Sequence, residues 1–126
     1  MQQMQMAKSG FILLAAIVLM SFVYSSHQAS NSFVQFRILS PLNAESALKI
    51  DEKIGSKSGI IESRSDYVTS TYFCLLSSEA EYTKEDFVTW FAKMGYEIAC
   101  YSRGLQNIDP MVSPHVLKDC EDVKVE

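Results

Sequence analysis

The chain has 126 residues, 48% of them hydrophobic, and a formal net charge of −4. Lys8 is the only charged residue among the first 26, so from residue 27 onward ten basic residues stand against fifteen acidic ones, a net of −5 with no basic run. About 100 residues remain to fold, the common size of one domain, and the charge pattern argues against nucleic acid, whose phosphates are held by clustered Lys and Arg.

Residues 1–26 read as a signal peptide or a single-pass membrane anchor. From Phe11 to Tyr24 the only polar residue is Ser21. A signal-peptide core needs roughly 7 to 15 apolar residues and a full span roughly 17 to 25, so length favours the signal. Lys8 supplies the basic n-region, and Val23 with Ser25 gives an acceptable cleavage site. If the segment is retained, the span stretches over residues 9–26 with Lys8 on the cytoplasmic side. Both fates export everything after Ser26, to the periplasm or the cell exterior, and the cleaved signal ranks slightly ahead. Lys8-Ser9-Gly10 followed by Phe11 also resembles the leader of type IV prepilins, which is cut between the glycine and the phenylalanine. That family carries a glutamate at the fifth mature position, where this chain has Ala15, and Pro41 interrupts the long helix of a pilin.

Residues 27–126 read as one exported α+β domain with a core over 32–102 and an irregular tail over 103–126. "SFVQFRILS" alternates with Val34, Phe36 and Ile38 on one side and Phe33, Gln35, Arg37 and Leu39 on the other, the period of a half-buried strand. Ser40 as N-cap and Pro41 at the first helical position predict a helix over 41–54, stopped by a left-handed Gly55. Its expected apolar stripe is Ala44, Ala47, Leu48 and Ile54, and Glu45 with Lys49 makes a favourable i, i+4 pair. "GIIES" then reads as a short strand, "RSD" as a turn and "YVTSTYFCLLS" as a longer strand. Thr83 with Asp86 resembles a capping box and opens a second helix, with Phe87, Val88, Trp90, Phe91 and Met94 on its apolar face and Gly95 at its end. "YEIACYS" is the last strand. The order βαββαβ resembles that of ferredoxin-like folds, a likeness of element order that fixes architecture and leaves function open.

Three cysteines follow residue 26. In the ferredoxin-like order Cys74 and Cys100 lie two strands apart, about 9 to 10 Å, beyond disulfide reach. Cys100 with Cys120 is the expected pair, tethering the tail to the last strand and worth on the order of 3 kcal/mol in the chain-entropy model. Cys74 then reads as a buried free thiol between Tyr72 and Leu76. No CxxC or HxxxH spacing points to a metal, no glycine cluster to a phosphate or cofactor, and no nucleophile elbow to an enzyme. His115 in the tail reads as a surface residue, and Glu79, Glu81, Glu85 and Asp86 as capping and solubilising acids.

If Val34, Phe36, Ile38, Tyr72, Cys74, Leu76 and Ile98 face the helices, alternation places Phe33, Arg37, Thr69, Thr71, Phe73, Glu97 and Tyr101 on the other face of the sheet. That mixed aromatic and polar face has the character of an interaction surface, with Phe33, Arg37, Thr71, Phe73, Glu97 and Tyr101 as its binding residues. The tail from Arg103 folding back over the same face is an equally weighted outcome. The sequence thus leads to a non-enzymatic exported or membrane-anchored module without cofactor. It binds another protein of the envelope or membrane, as an accessory or regulatory partner in the cell envelope or secretory pathway. A secreted enzyme inhibitor or pro-domain-like protein, and a small-ligand-binding protein with a cavity under the tail, are the alternatives.

Overall fold

The computed structural model describes residues 29–122; the segment 1–26, with its leader or anchor reading, lies outside the described residues. Four strands, β1 (Ser32–Ile38), β2 (Ile60–Asp66), β3 (Thr71–Leu76) and β4 (Ile98–Leu105), form one antiparallel sheet in the order β2-β3-β1-β4. Two helices, α1 (Ala44–Gly55) and α2 (Lys84–Lys93), connect them, and a single turn, α3 (Pro114–Leu117), lies in the tail. No helix among the described residues is long and apolar enough to cross a membrane.

β1 is central and covered on both faces. Val34, Phe36 and Ile38 point into the main core, while Phe33 and Gln35 on the opposite face are also buried. The main core joins these β1 residues to Tyr72, Cys74 and Leu76 of β3, Ile50 and Ile54 of α1, and Phe87 and Phe91 of α2. Its centre is Phe36, with ring centroids 4.9 Å from both Tyr72 and Phe91 and 6.0 Å from Phe87. The Phe91 contact is edge-to-face, an arrangement that adds to the burial term.

Helix α1 begins later than its proline suggests. Asn43, not Ser40, is the N-cap: its Oδ1 accepts from the Ser46 N–H at 2.8 Å, and Ser46 Oγ accepts from the Asn43 N–H at 3.0 Å. This reciprocal box satisfies two donors that Ser40 and Pro41 leave open. Leu42 is buried and its N–H donates to Ser70 Oγ, which holds the lead-in extended. Gly55 closes the helix in helical conformation, and the left-handed glycine comes at Gly59, with φ of 82°. The buried stripe is Ala47, Ile50 and Ile54; Ala44 and Leu48, expected in it, face solvent, Leu48 at 59% exposure. The Glu45–Lys49 pair forms at 3.3 Å.

The hairpin turn falls at Tyr67–Ser70 and not at residues 64–66. Asp66 Oδ1 accepts from the N–H groups of Val68 and Thr69, an Asx turn, and Ser70 takes the left-handed conformation at φ 54°. This local chemistry outweighs the strand preference of Tyr67 and Val68. Helix α2 starts at the expected capping box of Thr83 and Asp86 and ends before Gly95 at φ 92°. Phe87 and Phe91 are its buried residues, whereas Val88 is exposed.

Candidate functional site

The sheet face away from the helices is where the sequence places its binding residues, and the tail lies across it. Strand β4 continues to Leu105, three residues beyond the predicted core. A turn at 106–109 follows, in which Asp109 Oδ2 accepts from the Leu105 N–H at 2.7 Å and the Gln106 N–H donates to the Asn31 carbonyl. The chain then crosses β1. Gln35 Nε2 donates to the Val112 carbonyl at 2.7 Å, and the Val112 N–H donates back to Gln35 Oε1 at 2.9 Å. Ser113 caps α3 with Pro114 at its first position, and Leu117 is the buried side chain of that turn. Arg37 Nη1 donates to the Cys120 carbonyl at 2.8 Å, the Cys100–Cys120 disulfide closes the tail onto β4, and the Cys100 N–H donates to Asp122 Oδ1.

Of the two outcomes weighed for this face, the tail folded back over it is the one the structure shows. Phe33 and Thr71 are each only 3% exposed, and Arg37 is committed to the tail. Phe73 stays partly accessible, stacked on Phe33 with centroids 6.4 Å apart and carrying the Arg64 guanidinium over its ring; Arg64 also pairs with Glu62 at 2.8 Å. Glu97 is exposed, one residue before β4. Tyr101 is on the other side altogether. The β1–β4 register shifts between Gln35 and Arg37, and Cys100 at that irregularity has φ 58°, the left-handed region that a bulge usually gives to glycine. The extra residue reverses the alternation, so the Tyr101 ring packs near Phe36 and Phe87. Burial raises the pKa of its hydroxyl, opposed by the nearby Arg103 guanidinium.

Gly104 stands opposite Phe33 in the register, and a side chain there has no room: a Cβ lies 2.7 Å from Phe33 Cζ and 2.8 Å from Asp109 Cβ. The bare backbone lets the Phe33 ring and the 106–109 turn close on each other.

A polar chain runs along the helix-bearing face. Asp51 of α1 accepts from Ser65 Oγ at 2.9 Å, from the Ser65 N–H at 3.2 Å and from Ser63 Oγ at 3.4 Å, and Ser63 Oγ lies 2.6 Å from the Tyr72 hydroxyl. Burial raises the Asp51 pKa, partly offset by the Ser65 and Ser63 hydrogen bonds and by Arg64. Burial likewise pushes the Tyr72 hydroxyl up and the Cys74 thiol to about 11, so both are protonated donors at neutral pH and not nucleophiles. No periodic signal marks this Asp-Ser-Ser-Tyr chain, because its members come from three elements. An open groove of about 490 Å³ lies elsewhere, lined by Lys49, Ile50 and Lys53 of α1 and by Met94 and Tyr96 after α2.

The tail turns apolar side chains outward. Leu105, Ile108, Met111, Val112 and Val116 are exposed within twelve residues, Ile108 at 65% and Val116 at 67%. Comparison with protein-family models, with curated proteins and with solved structures finds no match.

Proposed function

We infer that residues 27–126 are an exported ferredoxin-like domain acting as a non-enzymatic protein-binding module, secreted or tethered by residues 1–26. Its partner is another protein of the envelope or membrane. The observation that carries this reading is the outward apolar row of the tail, from Ile108 to Val116, held on a rigid sheet by a disulfide. A segment that buries one leucine and exposes a row of Ile, Met and Val side chains has more to bind than its own sheet. Pre-ordering by the crosslink lowers the entropy lost when a partner docks. The disulfide itself supports an oxidising compartment, in keeping with export.

Photo-crosslinking tests the assignment. A benzoyl-phenylalanine at Val116 in the full chain, expressed in its own cells, is expected to give a discrete adduct that Met111→Asp abolishes. The same probe at Glu52, on the exposed side of α1, gives none. Equal adducts from both positions, or adducts indifferent to Met111→Asp, overturn the reading.

A further inference from the structure

The tail is fastened to the sheet by few contacts, and one of them is covalent. The 106–109 turn has its own anchors, the Gln106 bonds to Asn31 and the Asp109 bonds to Leu105; beyond it the non-covalent contacts are the Gln35–Val112 pair, the Arg37 bond to the Cys120 carbonyl, the Asp122 bond to the Cys100 N–H and the burial of Leu117. Every other residue from 107 to 119 is exposed. Ordering a segment of that length costs backbone entropy at each residue, which a few hydrogen bonds and one leucine do not offset by themselves. Docking thus depends on the crosslink, which in the chain-entropy model favours the closed arrangement by about a hundredfold.

The sulfurs are placed for exchange. Cys100 and Cys120 are both partly exposed, on an edge strand and on the tail that covers it. Cys74, the third cysteine, is fully buried in the core under the helices, so the pair can open without scrambling. Cys100 also holds left-handed backbone, unfavourable for a residue with a side chain, so strain is stored at the very residue that the bond restrains.

We propose that the Cys100–Cys120 bond is a thiol-sensitive latch, opened by a dithiol, that releases residues 110–122 and uncovers the part of the sheet face around Gln35 and Arg37. A thiolate of the dithiol attacks the Cys120 sulfur, forms a mixed disulfide and expels Cys100 as a thiolate, which takes up a proton. The second thiol of the reagent then closes on the first and frees Cys120. The protein disulfide gains two electrons and two protons, and the dithiol leaves as a disulfide. The latched molecule presents the outer apolar row of the tail; the released one presents the polar part of the sheet face beneath it.

Heteronuclear NOE measurements on the nitrogen-15-labelled full chain, with and without dithiothreitol, read the latch directly. The expected result is loss of the ordered NOE over residues 110–122, with the 106–109 turn, β1, β3 and α2 still rigid and two thiols, not three, open to iodoacetamide. The double variant Cys100→Ser/Cys120→Ser is expected to show the same released tail without reductant. A tail that stays rigid after reduction overturns the proposal, as does loss of signal dispersion across the whole domain or alkylation of Cys74. Crosslinking from Val116 is read on the oxidised protein, so its failure refutes the binding surface alone, and an unreleased tail refutes the latch alone.

Discussion

Asp51 shows what a single side chain does to an exposed sheet edge. β2 is an outer strand, and the Asp51 carboxylate takes up the N–H and hydroxyl of Ser65 together with the hydroxyl of Ser63. Unsatisfied strand edges are templates for pairing with other chains, and a carboxylate laid on the edge blocks that pairing. Asp122 plays the same part on the other outer strand, accepting from the Cys100 N–H. The Asp51 pKa is raised above 3.8 chiefly by burial. Its protonated form is therefore favoured by folding, and its contribution is full below pH 3.8 and is lost as pH rises through the higher folded value. Asp51→Asn cannot ionise, so its stability relative to the parent should rise between pH 3 and pH 7, whatever constant offset the lost acceptor causes. Urea midpoints of both proteins across that range check the slope, and a flat or falling difference contradicts it.

Among the elements, β4 departs furthest from what alternation gives. Its first residues follow the expected faces, then the irregularity at Cys100 moves every later residue to the opposite side. Tyr101 joins the core, Arg103 reaches the Ser32 hydroxyl and the Tyr82 carbonyl, and Gly104 comes to lie against Phe33. Gly104→Ala should cost about 1 to 3 kcal/mol, because Phe33 is buried and cannot swing clear and Asp109 is fixed by its bonds to Leu105. Chemical denaturation measures this, and an unchanged midpoint means that the turn shifts freely. The helices were more legible. Thr83 with Asp86 and Gly95 frame α2 as the local pattern predicts, since capping is a short-range interaction. At α1 the expected cap Ser40 gives way to Asn43, because the extended lead-in, bonded through Leu42 to Ser70 28 positions away, delays the helix by three residues.

For the whole molecule, the decisive feature is a sheet with two unlike coverings. On one face a hydrophobic core ties both helices to the strands, through Ile50 and Ile54 of α1 and an aromatic cluster that joins α2, and Phe36 sits at its centre. Phe36→Ala should destabilise the domain by about 3 to 5 kcal/mol, the range for emptying an aromatic site in a close-packed core. Calorimetric or urea unfolding checks it, and a loss below about 1 kcal/mol would mean that the core collapses to fill the site. On the other face a thin, mostly exposed tail is held by a crosslink and a few polar bonds. That asymmetry is why the helix-bearing face reads as stability, and it is the ground on which contact and regulation are proposed for the tail-bearing face.

By itself the sequence determined the compositional limits, the sheet-and-two-helix architecture, the core residues of β1 and β3, and the Cys100–Cys120 pairing. These follow from period, capping and strand spacing, which act over a few residues or depend only on strand order. Only the tertiary structure decided where β4 reverses its faces, that Phe33 and Thr71 are buried, that Gln35 anchors the tail, and that Asp51 of α1 gathers two serines of β2. The physical reason is range: a bulge and a tail docked 77 positions away from its partner leave no periodic trace in the residues that make them.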